Sequence, residues 1–108
     1  MADFTIKRGD TSPSIRLQLL QEDDSPFDLN ADDVCQIRMK DDQGHTGVMD
    51  PATITDLGEA RIEYEWQTGD LTIAGPFNAE VEITRADGSV ETVPNDGYFT
   101  ILVFEDLG

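Results

Sequence analysis

Positive charge is what this sequence has least of. Five arginines and two lysines, Lys7 and Lys40, stand against 15 aspartates and 8 glutamates in 108 residues, for a formal net charge of −16. Nucleic acid and anionic membranes are thereby excluded as partners, because phosphate contacts need clustered Lys and Arg. A single cysteine, Cys35, excludes an internal disulfide and a cysteine-based zinc site. Its phase with Ile37 and Met39 marks it as a small buried hydrophobe. No apolar run approaches the ~20 residues that span a bilayer. The opening MADFTIKRGD has no apolar h-region, so no secretory signal is expected and synthesis in the cytoplasm is.

Catalytic vocabulary is equally thin. The one histidine, His45, sits in a Gly-containing polar loop with no nucleophile motif beside it, and is expected to be an exposed loop residue. The GxSxG, HExxH and Walker patterns are absent. The acid pairs Asp23-Asp24, Asp32-Asp33 and Asp41-Asp42 invite a glycosidase reading, but in so acidic a chain such pairing carries no information. Asp41, Asp42 and Asp50 bracket a loop with the hard oxygens that calcium prefers. They lack EF-hand spacing, and a solvated acidic loop is the expectation. Arg8-Gly9-Asp10 is too short a motif to carry an adhesion reading. The sequence therefore predicts no enzyme, no cofactor and no metal site. Aromatic residues are only 7% of the chain, and Tyr64 and Trp66 share the phase of Ile62. That assigns them to a core rather than to a sugar-stacking platform.

What the chain does contain is period-2 alternation, the mark of strands with one buried face. It runs over Phe4–Lys7, Ser14–Gln21, Val34–Lys40, Ala60–Trp66, Phe77–Thr84 and Phe99–Val103. Weaker strand signals cover Val48-Met49 before Asp50-Pro51, then Ala52–Asp56, with Thr53 and Thr55 favouring extended backbone. Asp87-Gly88 supplies a tight turn into a return strand, Ser89–Val93, which Pro94 ends because it cannot donate to a ladder. Asn95-Asp96-Gly97 turns the chain again, so the last three strands read as an antiparallel meander. Phe27 and Leu29 pin a loop to the core. Asn30–Asp33 is one helical turn or a plain loop, and Asp70–Ile73 is a candidate for another turn of helix. Tyr98, out of phase with Phe99, is placed to hold a neighbouring backbone through its hydroxyl. The whole is an all-β, antiparallel sandwich of seven to nine short strands, one domain over residues 1–108.

The acidity has its own implication. Self-repulsion destabilises a small compact chain at low salt, and molar salt cuts its range to ~3 Å. The composition points to work in a very salty cytoplasm, that of an extreme halophile or of something that infects one.

The run IKRGDTSPSIRLQL, then FDL, then GEARIEYEWQTGDLTIAGPFNAEVEITRADGSVETVPNDGYFTILV resembles the N-terminal immunoglobulin-like domain of tailed-phage baseplate upper proteins. The likeness extends from about Phe4 to Asp106. Its most specific elements are Gly9-Asp10-Thr11, Tyr64-x-Trp66, Gly75-x-Phe77-x-x-Glu80, Asp87-Gly88 and Pro94-Asn95-Asp96-Gly97-Tyr98. Phe77 replaces the family's tyrosine before Ala79, keeping the ring and losing a hydroxyl. The resemblance implies an immunoglobulin-like β-sandwich and a non-enzymatic virion structural protein. It would attach to other virion proteins in the tail, baseplate or neck, within a symmetric homo-oligomeric assembly. In that family the host-binding portion lies further along the chain. Here the sequence ends at Gly108 without a stalk helix, so attachment rather than receptor binding is expected. Other readings are an immunoglobulin-like decoration protein on the virus head and a glycan-binding adhesion module. A virus of a halophilic archaeon would join the acidity to the family likeness.

Overall fold

Alternation in the sequence becomes alternation of burial. In β3 (Val34–Asp41) Cys35, Ile37 and Met39 are buried while Gln36, Arg38 and Lys40 point outward. In β6 (Gly75–Thr84) Phe77, Ala79, Val81 and Ile83 are buried in the same way. The computed structural model describes residues 3–94 and 98–105. Among these, six further strands complete the fold: β1 (Phe4–Lys7), β2 (Ile15–Gln18), β4 (Thr46–Asp56), β5 (Arg61–Tyr64), β7 (Val90–Val93) and β8 (Phe99–Phe104). No helix is present among the described residues. Asn30–Asp33 and Gln67–Asp70 are both turns, closed by Asp33 N–H to the Asn30 carbonyl and Asp70 N–H to the Gln67 carbonyl, each at 3.0 Å.

The strand order is β1-β8-β6-β3-β4-β5-β2, with β7 also beside β6. The larger layer is β1, β8, β7, β6, β3 and the first half of β4. The smaller is the second half of β4, β5 and β2. β4 joins them: Ala52 lies opposite Cys35 of β3, and the next residue, Thr53, opposite Glu63 of β5. The two weak strands expected on either side of Asp50-Pro51 are therefore one strand. Pro51 is tolerated just before the strand leaves one layer for the other, where a missing donor costs least. Between the layers Ile37, Val81, Ile83 and Ile101 meet Ile15, Ile62, Tyr64 and Trp66, all buried. Each such side chain contributes about 1.5–3 kcal/mol by leaving water.

The C-terminal meander is not one. β3 occupies one edge of β6 from Thr84 to Phe77. β7 pairs with Val81–Thr84 and β8 with Gly75–Ala79 along the other edge. Thus β7 and β8 are successive halves of a single return strand, interrupted where Pro94 stops the ladder. Asn95, Asp96 and Gly97, where the sequence places a turn, lie outside the described residues. The antiparallel expectation holds for every pair but one: β1 runs parallel to β8, Phe4 opposite Ile101 through Lys7 opposite Phe104. β2, the next strand along, is in the other layer, so β1 has no hairpin partner and takes the remaining edge of β8.

Candidate docking surface

The motif residues fall into four structural groups. Gly9, Asp10 and Thr11 make the exit from β1. Gly9 N–H donates to the Leu71 carbonyl at 2.9 Å and Asp10 N–H to the Lys7 carbonyl at 3.1 Å. Gly9 takes φ +85°, which a side chain would resist. Asp87 and Gly88 turn the β6–β7 hairpin. Gly88 N–H donates to the Arg85 carbonyl at 2.9 Å with φ +89° at the glycine, the geometry of a three-residue hairpin loop. The Asp87 carboxylate accepts from the Ser89 hydroxyl at 2.7 Å and its N–H at 2.9 Å. These bonds, the hydroxyl's first, hold the Asp87 carboxyl below its ordinary range.

Tyr64, Trp66 and Phe77 belong to the core, as their phase requires. The Tyr64 ring meets Trp66 edge-on at 5.4 Å, and Phe4 covers Trp66 at 5.9 Å. Tyr64 hydroxyl donates to Asp70 at 2.5 Å, with an Asp50 oxygen 3.2 Å away. Burial, then the bond to Asp70, pushes this phenol far above its ordinary pKa. Phe77 packs over Gly47, where a Cβ would stand 3.3 Å from its ring and 3.2 Å from Met39.

Glu80 lies between the stretches of β6 paired with β7 and with β8 and lines a cleft with Tyr98, whereas Pro94 follows β7 and lines another; Gly97 lies outside the described residues. Tyr98 is 60% exposed, and among the described residues its hydroxyl has no hydrogen-bond partner. The backbone clasp expected of it is not formed there.

The acidic loop weighed for calcium is a hairpin end. Asp41 accepts from His45 N–H at 2.7 Å and meets the His45 ring Nδ1 at 2.9 Å, closing the β3–β4 hairpin, while Asp50 faces Tyr64. His45 is exposed. Among the described residues no group of three or more His, Cys, Asp or Glu is gathered for a metal.

One cluster had no counterpart in the sequence reading. Arg85, at the end of β6, donates through Nη1 to the Asp33 carboxylate at 2.5 Å and to the Asp28 carbonyl at 2.8 Å, and through Nη2 to Glu91 at 3.0 Å. Its guanidinium carbon stands 5.3 Å from the centre of the Phe27 ring. Asp33 in turn accepts from Asn30 N–H at 2.8 Å. The loop before β3 is thus stapled to the β6–β7 hairpin. The hydrogen bond to Glu91, and after it the bond to Asp33 and that carboxylate's charge, raise the Arg85 pKa still further. A charge scarce in this chain and placed beside a turn is the signal that could have found it.

Two of the open clefts in the described surface bear on these residues. One, of about 450 Å³, lies on the outer face of the larger layer over β3, β4 and β6, and is lined by Arg38, Lys40, Met49, Asn78, Glu80 and Tyr98. The other, of about 690 Å³, separates the acidic loop 20–24 from β7. The cores of both layers are filled, and the carboxylates that have partners are engaged in closing turns or joining strands. The class that this fold defines is the all-β sandwich with open surface clefts.

The comparisons give that class a family. The profile of the BppU N-terminal domain matches residues 2–102, and the chain belongs to that family, whose members are structural domains of phage baseplate upper proteins. Among solved structures it is similar to CopC from Methylosinus trichosporium OB3b, with a TM-score of 0.53 and 11% identity over 100% of this chain and 89% of that one. At that identity the likeness concerns the fold alone. No curated protein matches the chain significantly.

Proposed function

We propose that this chain is a non-enzymatic structural module of a tailed virus, made in the host cytoplasm and built into the tail, baseplate or neck. The observation that carries the reading is the family match across residues 2–102. The module is one sandwich over the whole chain and acts by presenting faces and edges to other virion proteins, in a symmetric assembly of repeated copies. Among the described residues β1, β2 and β7 each pair along one edge only, and an unpaired edge can accept a neighbour's strand. Repetition multiplies weak contacts through effective concentration. The net charge of −16 supports a host with a salty interior.

Immunogold labelling of purified virions tests the proposal. Gold confined to the tail tip or neck is the expected result. Gold spread over the head would replace it with the head-decoration reading. Protein found in lysate and absent from particles would end it.

A further inference from the structure

We infer that the outer face of the larger layer pairs two copies of this chain through reciprocal contacts between Lys40 and Glu80. The inference deepens the proposed function, on which it rests only for the expectation of repeated copies.

Charge distribution sets this face apart. Alternation and register put five charged strand residues on it: Lys7, Arg38, Lys40, Glu80 and Glu82. Three bases and two acids make +1, on a chain of −16. Two such chains repel wherever their acidic loops meet, and this face is free of that acidic excess.

The same face carries the apolar material. Among the described residues eight large hydrophobic side chains are exposed, and Val34, Met49, Val90 and Phe104 are four of them. Tyr98, a fifth, overlooks its cleft. Val34 and Val90 flank Thr84 in one row across β3, β6 and β7. Leu102 lies opposite Pro76 towards the other end. Exposed apolar side chains gathered on one face are the mark of an interaction surface.

Complementarity chooses the occupant. Arg38 is bound to Glu82 at 2.6 Å. Lys40 and Glu80 stand diagonally across β3 and β6, Arg38 being opposite Glu80 and Lys40 opposite Asn78. Neither forms an ion pair among the described residues. A two-fold axis lying between two such faces brings each copy's Lys40 to the other's Glu80, the mutual contact of an isologous interface. Met49 and Tyr98 flank the pair. Five strands at about 4.8 Å spacing give a face ~24 Å across. Two of them bury on the order of 1,000 Å², the lower limit for a specific interface. The pairing is therefore weak, strengthened by salt that screens the acidic rims, and multiplied where copies repeat.

Sedimentation velocity of the whole chain over a concentration series, at about 0.1 M and about 3 M KCl, tests this. Wild type should form a dimer at high salt as concentration rises. K40E and E80K should each raise the dissociation constant about tenfold or more. E80K is the sharper variant: it lowers net repulsion, so general electrostatics would strengthen association where a Lys40–Glu80 contact weakens it. K40E/E80K, which keeps the net charge, should restore pairing, and an equimolar mixture of the two single variants should pair with itself. All these changes are at solvent-facing positions, and circular dichroism checks that the sandwich is kept. Wild type that stays monomeric up to ~1 mM in both salts overturns the inference. So does a double variant no better than the singles. A monomeric protein that still labels the tail refutes the pairing and leaves the proposed function standing; a paired protein missing from virions does the reverse.

Discussion

Removal of the Arg85 guanidinium should be the most damaging single change at a residue with a polar side chain. The Asp33 side chain is 1% exposed, and Arg85 is the cation in its salt bridge. Breaking a buried pair from one side costs about 3–5 kcal/mol, because the remaining charge stays desolvated. Asn30 N–H still reaches Asp33, which places R85L near the lower end, about 3 kcal/mol. The Glu91 contact adds little, since that carboxylate is half exposed. A loss of this size is a large part of the 5–15 kcal/mol that holds a small protein together, and it lowers the melting temperature by roughly 12–20 °C. Urea unfolding followed by the fluorescence of buried Trp66 reads it directly. R85L/D33N separates cause from incidental damage. Asparagine keeps an acceptor for Asn30 N–H and removes the stranded charge, so the double variant should recover about 2 kcal/mol of what R85L loses. An R85L cost below about 1 kcal/mol, or a double variant with simply additive losses, would refute the account.

Three further outcomes are expected. The Tyr64 phenol, held protonated in the fold, contributes stability that is complete below the ordinary tyrosine value of 10.0 and is lost as pH rises above it; Y64F should flatten that alkaline decline in chemical denaturation. Burial first, and Asp33 second, push the Cys35 thiol up to about 11, so alkylation at pH 8 should be negligible until denaturant opens the core, and prompt labelling of the native chain would contradict its placement. Spreading the charge of −16 over a sphere matching the radius of gyration of 13.9 Å, its repulsion should weaken by about 5 kcal/mol relative to the unfolded chain between 0.1 M and 1 M salt; a melting temperature that stays flat or falls over that range removes the halophilic reading.

The parts of this fold legible in the sequence are those governed by near neighbours. Alternation located the buried faces of β3, β5, β6 and β8, and it put Cys35, Tyr64 and Trp66 inside because side-chain direction needs only local backbone geometry. Asp87-Gly88 announced its hairpin for the same reason. Pairing was less legible. That β1 lies parallel to β8, 97 residues away as the Asp3–Thr100 bond shows, depends on which edge remains open after the other strands have paired. Pro94 read correctly as the end of a strand, yet nothing local told that β8 would resume along the same edge of β6. Arg85 and Asp33 are 52 positions apart, and each alone looked like surface. The candidate face was hidden in the same way: Arg38, Lys40 and Glu80 each read as outward, and only register makes them one surface.

The excess of aspartate over glutamate, 15 to 8, has a cause in the fold that a salt-adapted surface does not supply. Seven aspartates accept a backbone N–H: Asp3 from Thr100, Asp23 from Ser25, Asp33 from Asn30, Asp41 from Gln43 and His45, Asp56 from Glu59, Asp70 from Gln67, and Asp87 from Ser89. Glutamates are used differently: Glu63 takes the Ser14 and Arg16 side chains, Glu82 takes Arg38 and Glu91 takes Arg85. The short side chain reaches a nearby amide while the loop is still tight, and one more methylene overshoots it. Much of the acidity is therefore turn chemistry in a sandwich made of short strands and many turns. The two explanations part at substitution. If charge alone matters, Asp→Glu at positions 23, 56 and 87 is silent and Asp→Asn changes the salt response. If the turns matter, Asp→Glu lowers the melting temperature at every salt concentration, whereas Asp→Asn, which keeps an acceptor oxygen at the same reach, holds the fold and gives up only charge. Thermal melts of the two triple variants in low and high KCl decide between them, and a D→E triple variant as stable as wild type would return the aspartates to the solvent.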